Sequence, residues 1–596
     1  MRSARLLSRR CSRSTTRLAS RNMAEYDTEK EFDVIVIGAG SAGLSAAKEL
    51  IASGASVVVL EATAKVGGRV QNDEGALDPR WAIELGPEFI HGEANNPILD
   101  LVHMGLKGKP EAKLVELEWP NYYYFGKEGT LVVASEADEN DADVAKMLET
   151  FEGIGELCGG DDRGACAQAK EGERGEGEQS LLQHFASHGV QSRVLDLADA
   201  IFANDYGAEM SEIGMKECIE EQKRWIFGEK YLVLENANFQ DVMDTLADSV
   251  MPFVRLNSPA HTVRLVPGVT RGVGKQSSTP PTTVEVVVAG QRSSGSSAGE
   301  RRVRGRRVIV TVPLSVLQLQ PPSLALSPRT NHPTSASAQK REEEEEEEEG
   351  LNRAGGRGFG GIRFEPPLPR AQAQAIDTLE MGNALKCVVR LRSRCWPLDF
   401  FDAVCADCFF PEVWLSPAAQ LMRPECAGPF TVVGFVAGKR AERVGKLDPA
   451  EVARLLLNQL DAMFGTLADP HPASDSCQGF PHDPSSFLVK NWKDAPFAHG
   501  AYSYPTLGAQ GLRAAAFGDG GDGEKDKDHG NGHIFFAGEH TGAGVNACVH
   551  GAMLTGTAAA KRVFATLENK EEEEEEEEKA RGGANRTAPL KPTSRL

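Results

Sequence analysis

Three glycines and one acid carry the first chemistry legible in this chain. Gly38, Gly40 and Gly43 follow the apolar run Val34–Ile37, and Glu61 closes a second apolar run eighteen residues after Gly43. An Ala- and Leu-rich stretch of helical pattern lies between them. The first Gly permits a tight turn, the second lets a pyrophosphate approach the backbone, and the third lets helix pack on strand. The helix start attracts phosphate, and a carboxylate at Glu61 can accept hydrogen bonds from both ribose hydroxyls. This β-α-β unit implies a bound dinucleotide and leaves NAD and FAD open.

The elements that must position these residues belong to a chain of 596 residues, enough for two or more domains with full cores. No apolar run reaches the roughly 18 residues that would predict a bilayer-spanning helix. The net charge of -21 comes largely from two runs of eight glutamates, Glu342–Glu349 and Glu571–Glu578. Without those 16 acids, the 65 basic residues nearly balance the 70 remaining acidic ones. No nucleic-acid partner is expected, since that would call for clustered Lys and Arg on the folded body. The glutamate runs read as solvated, self-repelling segments, with an acidic docking tail as the alternative. Cys405 and Cys408 form a single CxxC with no second pair and no His at zinc spacing, so no metal is expected. The eleven cysteines lack a repeated spacing, which fits a reducing compartment.

The two ends suggest different addresses. Residues 1–24 hold seven arginines, five serines and no acid, the composition of a mitochondrial or plastid transit peptide. Ser594-Arg595-Leu596 is close to the Ser-Lys-Leu peroxisomal signal, with Arg keeping the cation. Peroxisome is the preferred reading, through a peroxisomal import receptor, and Met23 offers an alternative start that would remove the arginine-rich segment.

Only one glycine-rich β-α-β unit occurs, yet strands of similar character recur near residues 310 and 535. The expected fold class is therefore α/β: a Rossmann-like binding domain assembled from discontinuous segments, plus an α+β substrate-binding domain. Residues 1–30 are assigned to targeting and disorder, and 31–96 to the first dinucleotide-binding segment. Residues 97–244 form a mostly helical first part of the substrate domain, and 245–320 the second binding segment. A low-complexity insertion follows at 321–361, then the second substrate part at 362–485. Residues 486–566 are the third binding segment, and 567–596 a disordered acidic tail.

Six ordered motifs extend the reading: VLEA (Val59–Ala62), GGRV (Gly67–Val70), ELGPEFIHG (Glu84–Gly92), VIVTVPLSVL (Val308–Leu317), WKDAPFAHGAYSY (Trp492–Tyr504) and FFAGEHTGAGVNACVHGAMLTG (Phe535–Gly556). Together they resemble the flavin-containing amine oxidase family, which includes polyamine oxidases, monoamine oxidases and lysine-specific histone demethylases. The resemblance spans residues 31 to 565 apart from the low-complexity insertions, and it implies FAD as the cofactor.

The resemblance also assigns roles. Arg69 is the cation expected to neutralise the flavin's phosphates. Val263 matches a position whose backbone holds the adenine edge, and Glu539 the acid that bonds the ribityl chain. The helix beginning near Ala547, with Val549 in its first turn, would aim its amides at the flavin pyrimidine. Lys386 lies four residues after Gly382 and ten before Trp396, as does the family lysine that holds a water against flavin N5. A snorkelling strand-edge lysine is the alternative. Tyr502 matches one wall of an aromatic cage over the flavin, whereas Tyr504 reads as core. Ala501 stands where monoamine oxidases carry a flavin-linked cysteine, so FAD should be non-covalent. The second cage wall falls at Cys548, a position held by tyrosine or small hydroxyl residues in relatives. His91 matches a substrate-facing histidine of animal-type polyamine oxidases, with a structural turn histidine as the alternative. Glu88 and Glu93 bracket it and could attract a polycation. Glu235-Asn236-Ala237-Asn238 departs from the Gly-Gly-Tyr-like turn of many relatives.

The resemblance implies an FAD-dependent amine oxidase acting on spermine, spermidine or their N-acetyl forms. A neutral amine would lose a hydride equivalent from its α-carbon to flavin N5, and O2 would be reduced to hydrogen peroxide. Three alternatives stay open: a histone-demethylase-like enzyme, an amino-acid oxidase, and a flavin-binding interaction protein without turnover. The sequence leaves undecided which C–N bond is cleaved and the oligomeric state.

Overall fold

Alternating side chains along the strand β1 (Glu31–Ile37) enter two different cores, which is why a sheet covered on both faces forms around it. Val34 and Val36 pack with Leu44, Ala46 and Ala47 of the helix Ser41–Ala52, with Val242 and Leu246, and with Ala559, Ala560 and Val563. Ile35 and Ile37 face the opposite core with Leu314, Ala375, Ile376 and Phe517. The computed structural model describes residues 31–154, 178–267, 282–289, 300–319, 361–392, 394, 396–417, 428–465, 482–517, 532–542, 544–545 and 547–583.

The first sheet has the order β12-β9-β10-β11-β1-β2-β8, with β20 also pairing β11. Its further members are β2 (Val57–Leu60), β8 (Val254–Arg255), β9 (Ala260–Pro267), β10 (Thr282–Val288), β11 (Arg301–Val310), β12 (Arg363–Glu365) and β20 (Ile534–Phe536). β1 runs parallel to β2 and β11, and β11 parallel to β20. The distant strands near 310 and 535 are thus neighbours, as the discontinuous Rossmann-like reading requires, and the mixed α/β class holds.

A second sheet follows the order β18-β14-β17-β16-β15-β5-β6. It comprises β5 (Tyr122–Phe125), β6 (Thr130–Val133), β14 (Ala384–Leu391), β15 (Asp402–Ala406), β16 (Glu412–Leu415), β17 (Phe430–Ala437) and β18 (His482–Asn491). The helix Pro449–Phe464 packs Leu456, Leu460 and Phe464 against it. A three-stranded sheet joins β3 (Ile90–His91), β7 (Tyr231–Glu235) and β4 (Lys113–Leu117), and a two-stranded one joins β13 (Met381–Gly382) to β19 (Tyr502–Ser503).

Several boundaries differ from the sequence expectation. Residues 97–244 are mostly helical but also contain four strands, β4 to β7. β5 is YYYF with every residue buried, so no polar alternation marked it as a strand. β12 and the helix Arg370–Thr378 serve the first sheet and its core, although 362–485 was assigned to the substrate domain. β18 belongs to the second sheet, although it crosses the expected boundary at 486. The C-terminal helix runs from Val549 to Gly583, so residues 567–583 continue it instead of forming an irregular tail. Glutamate's helix propensity, with an already nucleated helix before it, offsets like-charge repulsion there. The N-terminal segment, the insertion from 321, Glu342–Glu349 and Ser594-Arg595-Leu596 lie outside the described residues. Among the described residues no helix is long and apolar enough to cross a membrane.

Candidate active site

The glycine turn is built by close backbone packing. Gly38 takes φ +104°, a conformation that disfavours a side chain, and its N–H donates to Leu60 O at 2.8 Å. A Cβ on Gly43 would lie 2.0 Å from Gly38 O, so only glycine lets the helix start this close to the turn. A Cβ on Gly40 would meet nothing nearer than 3.9 Å, and the atoms it meets belong to Gly67 and Gly68. Gly67 N–H donates to Ala39 O at 2.9 Å, so the GGR turn docks directly on the GxG turn. This open, side-chain-free cradle beside a helix N-terminus fits a dinucleotide's phosphates. Glu61 is buried at the end of β2. One carboxylate oxygen accepts from Ala39 N at 2.7 Å, and the other from Thr63 N and Oγ1 at 2.8 Å.

Arg69 leaves the GGR turn and crosses to the C-terminal segment. Its Nη1 donates to Glu539 Oε1 at 2.8 Å and to the carbonyl of Ala501 at 2.6 Å. Ser503 N and Oγ donate to Glu539 Oε2 at 3.2 and 2.7 Å. Although burial opposes it, the Arg69 charge leads the effects that hold the Glu539 carboxyl down at about 2. Such a carboxylate stabilises the fold fully above its unfolded value of 4.5, and loses that contribution as pH falls toward 2. Glu539→Gln is therefore expected to lower the melting temperature at neutral pH and to flatten its fall between pH 4.5 and 2. Melting curves against pH check this, and parallel curves for both proteins would refute it.

Lys386 sits in β14, between β17 and β18, and is only 4% exposed. It is therefore an interior residue and not a snorkelling edge lysine. Its Nζ donates to the carbonyl of Glu84 at 3.2 Å, lies 3.6 Å from Glu88 Oε2 and 5.1 Å over the Trp414 ring. Burial is the largest influence and lowers its basicity, while Glu88 and Glu84 oppose that shift. The spacing from Gly382 has a structural meaning: Gly382 pairs with Tyr502 across β13 and β19, immediately before β14 begins. Tyr502 OH reaches Asn204 O at 3.5 Å, and a Cβ on Gly207 would strike its ring at 2.7 Å.

Tyr502, His91 and Cys548 are only half-buried, yet burial leads the shift of each ionisation: Tyr502 and Cys548 upward, His91 down to about 4. Asp205 is exposed by surface area, and burial still pushes its carboxyl up to about 7. His91 is neutral near neutral pH and stacks edge-on to Tyr231 at 5.1 Å, while Tyr231 stacks on Trp119 at 5.0 Å. Cys548 is held as the neutral thiol, which suits a wall and not a nucleophile. The helix starts at Val549, two residues later than expected, with Cys548 O accepting from Ala552 N at 3.1 Å.

The geometry treats the remaining assignments differently. Val263 lies inside the first sheet, flanked by β10 and β12 and fully buried, so its backbone faces neighbouring strands; it has the least geometric support of the cofactor positions. Tyr504 is buried in the core, as expected. Glu88 turns to Lys386, Trp414 and Ser416, and Glu93 accepts from Lys230 N at 3.1 Å. Asn236 supplies the positive φ of the departed turn, and Asn238 caps the helix Phe239–Ala247 in a capping box with Asp241. Sequence reading missed Asp205, Glu412 and Tyr231. They come from three separate elements and meet only in space: Asn204 Nδ2 bonds Glu412 Oε1, and Asp205 and Glu412 act electrostatically on both Tyr231 and Tyr502.

The model of the flavin containing amine oxidoreductase family matches residues 41–341 and 354–564. The chain is similar to lysine-specific histone demethylase 1 homolog 2 of Arabidopsis thaliana, 25% identical over 543 residues, covering 90% of this chain and 58% of that protein. It therefore spans little more than half of that relative. Polyamine oxidase 4 of Oryza sativa subsp. japonica is 24% identical over 552 residues, covering 88% of this chain and 87% of that protein. Peroxisomal N(1)-acetyl-spermine/spermidine oxidase of Bos taurus is 24% identical over 572 residues, covering 89% and 94%. Among solved structures, cyclohexylamine oxidase from Brevibacterium oxydans superposes with a TM-score of 0.61 at 20% identity, covering 90% of this chain and all of that one. Putrescine oxidase bound to putrescine gives a TM-score of 0.60 at 19% identity, covering 90% and 99%. These two establish the shared fold.

Proposed function

Because the chain belongs to the flavin-containing amine oxidoreductase family, we propose that it is an FAD-dependent oxidase of polyamines such as spermine, spermidine or their N-acetyl forms. The observation that carries the substrate class is electrostatic. The ionisable groups acting on both Tyr231 and Tyr502 include the acids Asp205 and Glu412, whose carboxyls burial pushes up, Asp205 to about 7. A polycation entering beside such acids favours their ionised form and is held by it, whereas an amino acid's carboxylate gains nothing from them. The names of the rice and cattle relatives point the same way. The demethylase-like reading keeps a specific support in the similarity to the Arabidopsis protein, which covers 90% of this chain.

In this reading, FAD is held without a covalent bond. Gly38, Gly40 and Gly43 supply the phosphate cradle, Glu61 the ribose contact, and Arg69 and Glu539 a paired charge at the junction of two segments. Val549 opens the helix whose amides face the flavin, and Val263 is the adenine-side candidate. Ala501 offers no side-chain nucleophile for attachment, and Arg69 binds its carbonyl. When bound, the flavin supplies the two-electron acceptor that passes electrons on to oxygen. The chain's own residues bind and orient the amine. Tyr502 gives an electron-rich wall, Cys548 and His91 complete it without carrying charge, and Lys386 Nζ holds protons beside the reacting centre. A Ser-Arg-Leu terminus suits import into the peroxisome, and the cattle relative is named as peroxisomal.

The test is peroxide release by the purified protein with spermine, spermidine, N-acetylspermine, a phenethylamine and a methyl-lysine peptide. Turnover of at least one polyamine, faster than of the phenethylamine and the peptide, is the expected result. Turnover of the peptide alone would replace this reading with the demethylase-like one.

A further inference from the structure

We propose that Glu88 is a positioning residue for Lys386, holding its ammonium charged and fixed while the amine is oxidised; this rests on the catalytic role given to Lys386 above. Glu88 is 7% exposed. Its Oε1 accepts from Ser416 Oγ at 2.7 Å, and its Oε2 accepts from Trp414 Nε1 at 2.9 Å and lies 3.6 Å from Lys386 Nζ. A hydroxyl and an indole N–H hold the carboxylate in place without adding charge. Its negative charge is thus left for the lysine. The indole that fixes Glu88 also presents its ring to Lys386 Nζ at 5.1 Å. Trp414 lies in β16 and Ser416 directly follows it, whereas Glu88 precedes β3, so Glu88 links two elements that share no strand pairing.

The other charged groups around Lys386 do not duplicate this role. Glu84 offers Lys386 its backbone carbonyl, while its carboxylate accepts from Phe239 N at 2.5 Å. Burial pushes that carboxyl up to about 8, toward the neutral acid. Glu412 stands in register with Lys386 across Phe435, and burial pushes it well above the usual carboxylate range. Lys490 is paired with Lys386 in β18, and its Nζ donates to Gln71 Oε1 at 2.9 Å. Against burial, Glu88 is the leading influence that favours the charged form of Lys386. A buried ammonium without its counter-ion would give up its proton at lower pH.

The experiment compares flavin-loaded wild type, Glu88→Gln and Glu88→Asp by stopped-flow across the neutral to alkaline range. The step that needs charged Lys386 slows as pH rises through the lysine's midpoint. Glu88→Gln is expected to move that midpoint down by about one pH unit or more, the size of effect of an opposite charge within 4–6 Å. Glu88→Asp is expected to restore most of it. In a Lys386→Met background, Glu88→Gln should move nothing further. An unshifted midpoint in Glu88→Gln overturns the proposal, and so does an equal change in the Lys386→Met background. A second readout is independent of activity: thermal unfolding of the flavin-loaded single and double variants. Coupling in the cycle, with the double variant losing less than the sum of the singles, supports the pair. Additive losses overturn it. Should Glu88→Gln fail to fold, recovery of a folded double variant supports the pair, and equal failure overturns it. Failure of the polyamine panel alone would leave these readouts intact, since they need only an amine that is turned over.

Discussion

Lys386→Met is expected to slow amine oxidation by about 10²–10⁴-fold, the range for removing a positioned proton-handling group, while the protein keeps its yellow cofactor. Methionine is unbranched and of similar length, so it fills the same channel in β14 and removes the charge and its protons. The contacts proposed to hold the cofactor lie elsewhere: the glycine turn, Glu61, and Arg69 with Glu539. Stopped-flow traces separate flavin reduction from reoxidation, and the visible spectrum reports cofactor content. Some stability loss should accompany the change, because Glu88 keeps Trp414 and Ser416 but loses its cation. Circular dichroism and melting curves measure that separately. Turnover unchanged from wild type would remove Lys386 from catalysis, and with it the premise of the Glu88 proposal.

Residues whose meaning lies in local chain geometry were legible in the sequence. Gly38, Gly40 and Gly43 serve one turn, and their spacing is the geometry of that turn. The resemblance singled out Lys386, and its spacing from Gly382 reflects one short run of chain, β13 to β14, that carries both the Tyr502 partner and the lysine. Arg69 was visible in its motif, but its tie to Glu539 spans 470 positions, and no spacing encodes it. Asp205, Glu412 and Tyr231 were not legible, since no spacing encodes the approach of Asn204 to Glu412. Glu88 was noticed for the wrong partner. Sequence proximity to His91 suggested a substrate-facing acid, whereas the turn after Glu84 directs it to Lys386. At the fold level, the all-buried β5 and the helical continuation through Glu571–Glu578 escaped notice for opposite reasons. The first shows no alternation, and the second shows charge where helix propensity decides the backbone.

The second large effect concerns the turn itself. Gly43→Val is expected to give a protein that binds no flavin and is colourless as purified. A Cβ at position 43 falls 2.0 Å from Gly38 O and 2.9 Å from Thr311 Oγ1, and the first of these is backbone that cannot rotate away. Relief requires the helix Ser41–Ala52 to retreat from the turn, taking with it the N-terminal amides that would face the phosphates. The helix cannot retreat freely. A Cβ at Gly556 would meet Ala42 O at 2.1 Å, which shows how closely the C-terminal helix packs against it. Leu44, Ala46 and Ala47 also lie in the core beneath it. The strain therefore concentrates at Gly38, whose φ of +104° leaves few alternative conformations to absorb it. Overpacking of this kind costs about 1–3 kcal/mol or more, so the melting temperature should fall as cofactor binding is lost. The ratio of visible to ultraviolet absorbance gives the flavin content directly. Gly54→Ala is the control. It lies past the end of the same helix at φ +86° with nothing within 4 Å of an added Cβ, so it carries backbone strain without the clash. If Gly54→Ala loses flavin as completely as Gly43→Val, general destabilisation and not the turn governs retention. A fully yellow Gly43→Val protein would mean that the phosphates do not rely on this turn.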